Sequence, residues 1–484
     1  MTWRRHAPLA LLMVLVIAKV LGLFAYGPLL QPDSGDYISY ANLILTDSSW
    51  IHDGGMATQA VPQTVFRTFG YPLLIAVSTL LGGDDGGALY LVVLVQIAAS
   101  IWATAMVYRL SLALLRHPAL ALLAAAGHAL SVTFTYDQHI LTDSLFNALC
   151  VIGFSVPIIG FLRQSPPRLQ VLFGLGALLG AACLVRGIGI YVLVLILPSY
   201  GAWLWVTRED WLRTGFRLVA LALPLIVIIG GVMAWNNYRT GYVFFTTGAQ
   251  YVMLQSLVII EGRGTPMFDG EGPIDDLARE HLKTHTYNEV GKITHGLFTE
   301  YGIDAYHSAK MHTRRYLDAL ARHPRAMLYH GIRQYEGSLI YQFFGFMDSA
   351  QIYFKFAYQE RPWPGTKDLW RRFKADGNPS DIVLLVALSA FRSIAWATFA
   401  LLLIGPPWLA GLALLARRPW TPELNAMAYC WGLYFAYSFG LSMIHMVDRF
   451  LPAVLAAGLM GSLFTAQCLY DALLRRRIQR ATGS

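Results

Sequence analysis

Residues 88–108 read ALYLVVLVQIAASIWATAMVY, an apolar run without a single charged residue. A helix needs about 20 such residues to cross the hydrocarbon core of a bilayer. Working outward, comparable segments fall at 7–26, 118–135, 141–162, 169–185, 187–206, 216–234, about 390–416, 422–442 and 450–473. The pattern predicts an all-α polytopic membrane protein with about ten transmembrane helices. Composition agrees: of 484 residues, 56% are hydrophobic and only 14% charged. A soluble domain carries about 25% charged residues, so a disordered chain and a collagen-like chain are excluded and the composition argues against an ordinary cytosolic enzyme.

Two of these segments admit another reading. Arg4 and Arg5 precede the first apolar run, as in a signal peptide, but the run holds Lys19 and ends (Gly22–Gly27) without a small-x-small cleavage site. The eighth starts either near Ile382, which puts Arg392 in the membrane, or after Arg392, with Pro406 and Pro407 bending it. The second choice buries no charge and is preferred.

The net charge of +8 is dispersed among loops rather than gathered on one face, which argues against nucleic acid. It is topological instead. With the N-terminus inside, the cytoplasmic segments hold Arg4, Arg5, Arg109, Arg116, Arg163, Arg168, Arg208, Arg213, Arg217, Arg417, Arg418, Arg475, Arg476, Arg477 and Arg480. The short outer segments hold only Arg67, Arg186 and Arg449. This asymmetry places both termini in the cytoplasm. The expected organisation is a membrane module over 1–234, with a first outer loop at 27–87, then an extracytoplasmic domain over 235–381. Membrane helices and a short cytoplasmic tail over 382–484 complete it. Helical patterning in the outer domain runs from Leu277 to about Tyr341, and YVMLQSLVII (251–260) is too short to span and suits the membrane interface. No short-period repeat or low-complexity tract occurs. Cys150, Cys183, Cys430 and Cys468 sit in apolar runs and are read as packing residues.

Ionisable residues recur where the spans meet the outer surface. PDSGDY (Pro32–Tyr37) follows the first span, and its Asp33 and Asp36 would share a helix face. Asp33 or Ser34 could equally cap a helix over Tyr37–Leu45. RTFGYPLLIA (Arg67–Ala76) is either a turn into a helix or an Arg placed to clamp phosphate. TYDQHILTDSLF (Thr135–Phe146) brings Asp143 to the start of the fourth span, where it too can cap. Arg186 stands at an outer mouth, and His445 and Arg449 stand four apart before the last span. Each alone is explained by capping or snorkelling. Together they place carboxylates and guanidinium groups at one membrane depth. A carboxylate can take a proton from an attacking hydroxyl, and guanidiniums can neutralise a departing phosphate.

The order of these motifs resembles the GT-C superfamily of polytopic glycosyltransferases. The likeness is to bacterial relatives of protein mannosyltransferases and of the lipid A aminoarabinose transferase. Asp33 and Tyr37 match an Asp-x-x-x-Tyr-like motif. Arg67-Thr68-Phe69-Gly70-Tyr71-Pro72 matches an Arg-x-Pro-Gly-Tyr-Pro-like run, with Phe69 for the usual Pro. Leu141-Thr142-Asp143-Ser144-Leu145 matches the acid entering the fourth span, and the run from Trp235 to Gly241, with Tyr238, matches the start of the large outer segment. Arg449-Phe450-Leu451-Pro452 matches an Arg-Tyr-x-x-Pro-like ending. The resemblance implies inverting transfer of a sugar from a polyprenyl-phosphate donor to a hydroxyl of a cell-envelope acceptor, a glycan, lipid or protein. The reaction would take place on the outer face of the bacterial cytoplasmic membrane. By resemblance Asp33 is the general base, with Asp36 its substitute, and Asp143 orients the acceptor or the loop. Arg67, Arg186 and Arg449 hold phosphate, with His445 a further candidate, and Tyr37, Tyr71 and Tyr238 contact substrate. Asp33-Ser34 in place of an Asp-Glu pair leaves a divalent metal without a clear motif. No soluble domain follows Arg475, so acceptor recognition is placed in 235–381.

His281 and His285 are spaced to bind zinc on one helix face, but no H-E-x-x-H accompanies them. No Walker loop, dinucleotide fingerprint or G-x-S-x-G occurs. A secondary transporter or lipid flippase draws slight support from Lys19 and the bent eighth span, yet shows no repeat. An O-antigen ligase or polymerase, using a pyrophosphate-linked donor, is the rival within the enzyme class.

Overall fold

The computed structural model describes residues 3–47, 58–83, 86–115, 117–131, 133–191, 196, 200–201, 210–284, 289–335, 366–415, 421–444 and 452–482. Every extended element among the described residues is a helix, with one isolated bridge between Leu29 and His139 in place of any sheet. In chain order the first nine helices are α1 Trp3–Tyr26, α2 Pro32–Thr46, α3 Gln63–Phe66, α4 Gly70–Gly82, α5 Gly87–Leu114, α6 Pro118–Ala129, α7 Thr133–Tyr136, α8 Thr142–Leu162 and α9 Leu169–Val185. There follow α10 Trp211–Thr240, α11 Gly248–Glu261, α12 Pro273–His281, α13 Glu289–Thr299, α14 Ala305–Arg322 and α15 at 324–335. The last four are α16 Thr366–Asp376, α17 Pro379–Leu415, α18 Pro422–Ile444 and α19 Pro452–Thr482.

Among the described residues, five helical stretches are long and apolar enough to span: Pro8–Ala25, Gly87–Leu114, Thr142–Leu162, Trp211–Thr240 and Ala453–Leu474. Four shorter apolar stretches accompany them, at Gly70–Gly82, Pro118–Ala129, Leu169–Val185 and Ile404–Leu415. Their free faces are apolar. Leu9, Met13, Ile17, Leu21 and Phe24 stand exposed on α1, as do Val219, Leu223, Ile226 and Val227 on α10. Unbroken apolar faces of this kind suit lipid rather than water, and the chain is a membrane protein.

Several boundaries differ from expectation. The expected span 118–135 stops at Ala129, because the hydroxyls of Ser131 and Thr133 both donate to the His128 carbonyl (2.7 and 2.9 Å) and close the helix end. The expected span 216–234 is longer at both ends. Asp210 caps the start of α10 through the Leu212 N–H, and Gly241, at φ +78°, ends it. Helix α17 begins at Pro379, ahead of Arg392, and carries Pro406 and Pro407 inside it. Most of the expected span 187–206 lies outside the described residues.

Two large cores organise the packing, with a small third cluster at Val65, Phe244 and Ala305. The larger gathers α4, α5, α8, α9, α18 and α19, with α1, α2 and α10 contributing. Inside it, Gly176 and Gly180 bring α9 against α10: a Cβ on Gly176 would stand 2.2 Å from the Leu221 carbonyl oxygen. Small residues four apart let helix backbones approach where lipid supplies no hydrophobic drive. The smaller core is built from α11 to α15, around Leu254, Leu257, Leu277, Ile293, Leu297 and Met327. The segment 251–260 supplies Leu254, Leu257, Val258 and Ile260 to this second core. Met443 and Ile444, ending α18, pack against it, and Tyr316 donates to the Met443 carbonyl at 2.7 Å.

Candidate functional site

Helix α2 starts at Pro32, with Gln31 in the capping position. The Ser34 hydroxyl accepts from the Gln31 N–H and donates to the Ile140 carbonyl, both at 2.8 Å. Capping therefore claims neither Asp33 nor Asp36. Both turn to Arg67, which stands between α3 and α4. Its guanidinium donates to Asp33 (3.3 Å), Asp36 (3.0 Å) and the Tyr37 hydroxyl (3.2 Å), and packs over the Tyr37 and Phe66 rings. Burial opposes the charge of Arg67, but Tyr37 and the two carboxylates outweigh it and raise its pKa above the usual value. The Arg67 Nε–H has no acceptor among the described residues.

Asp143 follows the same rule. Helix α8 is capped at Leu141, and the Asp143 carboxylate accepts from Arg186 just beyond α9. Asp143 is 1% exposed and Arg186 14%, so this pair lies deeper than the one at Arg67. The two pairs are neighbours because α4 abuts the end of α9. A Cβ on Gly70 would meet the Leu184 backbone at 2.7 Å, an approach that only glycine permits. Beneath them Tyr71 is fully buried, edge-on to Tyr37 at 5.3 Å, and donates to Gln96 Oε1 at 2.6 Å. Gln96 donates in turn to the carbonyls of Asp137 and His139.

A cavity of about 300 Å³ opens at this point, lined by Asp33, Tyr37, Arg67 and Arg186. Tyr191, Thr246, Tyr251 and Gln255 close it from the side of the second core, with Leu441 and Ile444 from α18. The site thus sits on the seam between the two cores. It presents a partly exposed carboxylate (Asp33, 31%) beside two guanidiniums. That equipment can bind an anion and hold or accept a proton at Asp33 Oδ1.

Of the residues singled out in the sequence, Asp33, Asp36, Tyr37, Arg67, Asp143 and Arg186 come together, with Tyr71 supporting them. Tyr238 does not: it is 82% exposed on α10 and lines no part of the cavity. The inward residue of that motif is Arg239, which donates to Asn236 and the Thr64 carbonyl and ties α10 to the stretch before Arg67. His445, Arg449 and His285 lie outside the described residues. No group of three His, Cys, Asp or Glu is placed to hold a metal ion among the described residues. Sequence reasoning passed over Asp137, the buried partner of Lys19. The available signal was Lys19 itself, since a charge inside an apolar span requires a partner.

Comparison with protein-family models, curated proteins and solved structures finds no match for this chain.

Proposed function

We propose that this chain is an integral-membrane inverting glycosyltransferase. It moves a sugar from a polyprenyl-phosphate donor to a hydroxyl of a cell-envelope acceptor. What carries the reading is the convergence of Asp33, Arg67 and Arg186 on one cavity. In the reaction, Asp33 accepts the proton of the acceptor hydroxyl as its oxygen attacks the anomeric carbon. The bond from that carbon to the phosphate oxygen breaks on the opposite side, which inverts the centre. Arg67 and Arg186 take up the charge of the departing phosphate. The motif order shared with GT-C enzymes supports the same assignment, with the cavity facing outward and both termini in the cytoplasm of a bacterium.

The test is transfer in liposomes from radiolabelled polyprenyl-monophosphate sugars to a membrane extract, with wild type beside Asp33→Asn. Label leaving the carrier with wild type alone supports the reading. Consumption of a pyrophosphate-linked oligosaccharide instead moves it to a ligase or polymerase. One observation favours transport: the Lys19–Asp137 pair is buried among apolar helices, where ion and proton pathways are found. Turnover with neither donor, together with substrate-driven flux, would establish that second reading.

A further inference from the structure

On the far side of the segment 244–250 lies a second cavity, of about 390 Å³. Thr246 lines both this cavity and the one holding Asp33. The shared wall is pinned to the stretch before Arg67: the Thr246 hydroxyl donates to the Phe66 carbonyl at 2.6 Å and the Thr247 N–H to the Val65 carbonyl at 3.0 Å. A ligand here is separated from the Asp33 cavity by this one segment of chain.

The lining has three kinds of group. Tyr306 and Phe244 supply aromatic faces, and Tyr306 is held flat by stacking on Tyr242 at 4.4 Å. Gln250 supplies an amide whose Oε1 is buried without a hydrogen-bond donor among the described residues. Such an atom is costly to leave unpaired, and a turn of the Gln250 amide toward the cavity would bring it to a ligand hydroxyl. Lys310 and Arg314, successive turns of α14, supply cations that form no ion pair among the described residues. Lys310 lies over the Tyr306 ring at 5.2 Å. Of the acids nearby, Asp304 is engaged by His307 and Tyr242 and Asp318 lines the cavity, so two cations and one carboxylate leave the lining net positive. A rigid aromatic face, an unsatisfied carbonyl and two cations match a ring bearing hydroxyl groups and an acidic substituent.

We infer that the cavity between α14 and the segment 244–250 binds a saccharide carrying a carboxylate or similar anionic group. The binding rests on this cavity alone; its role as an outlying subsite for an extended acceptor, whose attacking hydroxyl lies in the Asp33 cavity, rests on the transferase reading. The acid pairs with Lys310 and Arg314, the ring lies on Tyr306, and a hydroxyl donates to Gln250.

The test uses the full chain in nanodiscs, titrated with a uronic-acid tetrasaccharide and with a neutral hexose tetrasaccharide of equal length. Lys310 and Arg314 are exposed, so Lys310→Ala/Arg314→Ala leaves the fold intact. The acidic probe is expected to bind more tightly than the neutral one. The double variant should weaken it roughly tenfold or more, as loss of charged hydrogen bonds does. Absence of binding by the acidic probe, or binding indifferent to the double variant, overturns the site. If binding behaves as expected while no donor supports transfer, the transferase reading fails alone. If transfer proceeds with the acceptor KM unmoved by the double variant, the cavity's role toward the acceptor fails alone.

Discussion

Lys19 of α1 and Asp137, just before α8, form an ion pair with both side chains almost wholly buried, at 1% and 0% exposure. Each charge has further support. Lys19 donates to Ser100 Oγ at 2.9 Å, and Asp137 accepts from Ser144. The Gln138 amide reaches back to the Lys19 carbonyl. The turn held in this way also exchanges backbone hydrogen bonds with Leu29 and receives the Ser34 hydroxyl at Ile140. One buried pair therefore fixes both the start of α2, which carries Asp33 and Asp36, and the start of α8, which carries Asp143.

Lys19→Met should destabilise the protein by about 3–5 kcal/mol, because it leaves Asp137 charged and uncompensated. Lys19→Met/Asp137→Leu removes both charges and should recover most of that loss. Thermal unfolding in detergent, followed by intrinsic fluorescence, checks the order. A double variant no more stable than Lys19→Met would show that the pair is not what the site rests on.

Arg67→Lys separates folding from chemistry. The pairs at Arg67 are 21–36% exposed, so each contributes at most about 1 kcal/mol, and the melting temperature should barely move. An ammonium cannot span Asp33, Asp36 and the Tyr37 hydroxyl as the planar fork does. Transfer should fall about 100-fold, the scale of losing one preorganised donor. Retained activity in Arg67→Lys would remove Arg67 from the phosphate site.

Gly70→Ala tests the contact that brings the two ion pairs together. Its Cβ would stand 2.7 Å from backbone atoms of Leu184, which cannot rotate aside as a side-chain tip would. Overpacking of this kind costs about 1–3 kcal/mol. Because α4 and α9 must then separate, Arg67 and Arg186 separate too, and the donor KM should rise along with the loss of stability. A fall in stability with an unchanged donor KM would assign Gly70 to packing alone.

The membrane character and helical class were legible because apolar runs such as 88–108 carry them locally, without reference to the rest of the chain. The site was half legible. Asp33, Asp36, Arg67, Asp143 and Arg186 stand out as charges at helix mouths, but their pairing depends on which helices touch. That contact is made by glycines, Gly70 against Leu184 and Gly176 against Leu221, whose only signature is the absence of a side chain. Tyr238 misled because an aromatic beside Asn236 and Arg239 fits the motif, while the helical phase of α10 turns Arg239 inward and Tyr238 out. The packing partner of 251–260 was hidden for a related reason: apolar periodicity does not name α14 as its neighbour.

His312 gives the second core a pH dependence of defined sign. It is buried in α14 beside Ser308 and Tyr251, and burial pushes its pKa down from 6.5 to about 4. The unfolded chain therefore binds a proton that the fold resists between these values. Stability is full above pH 6.5 and is lost progressively as pH falls towards 4, by at most about 3 kcal/mol. Below pH 4 this contribution changes no further. His312→Gln keeps a polar group near Ser308 without the titration, so it should flatten this part of the profile. Hydrogen exchange at the α14 amides from pH 7 to 4, in wild type and variant, separates His312 from the carboxylates titrating lower. Equal slopes in the two proteins would place the acid sensitivity elsewhere.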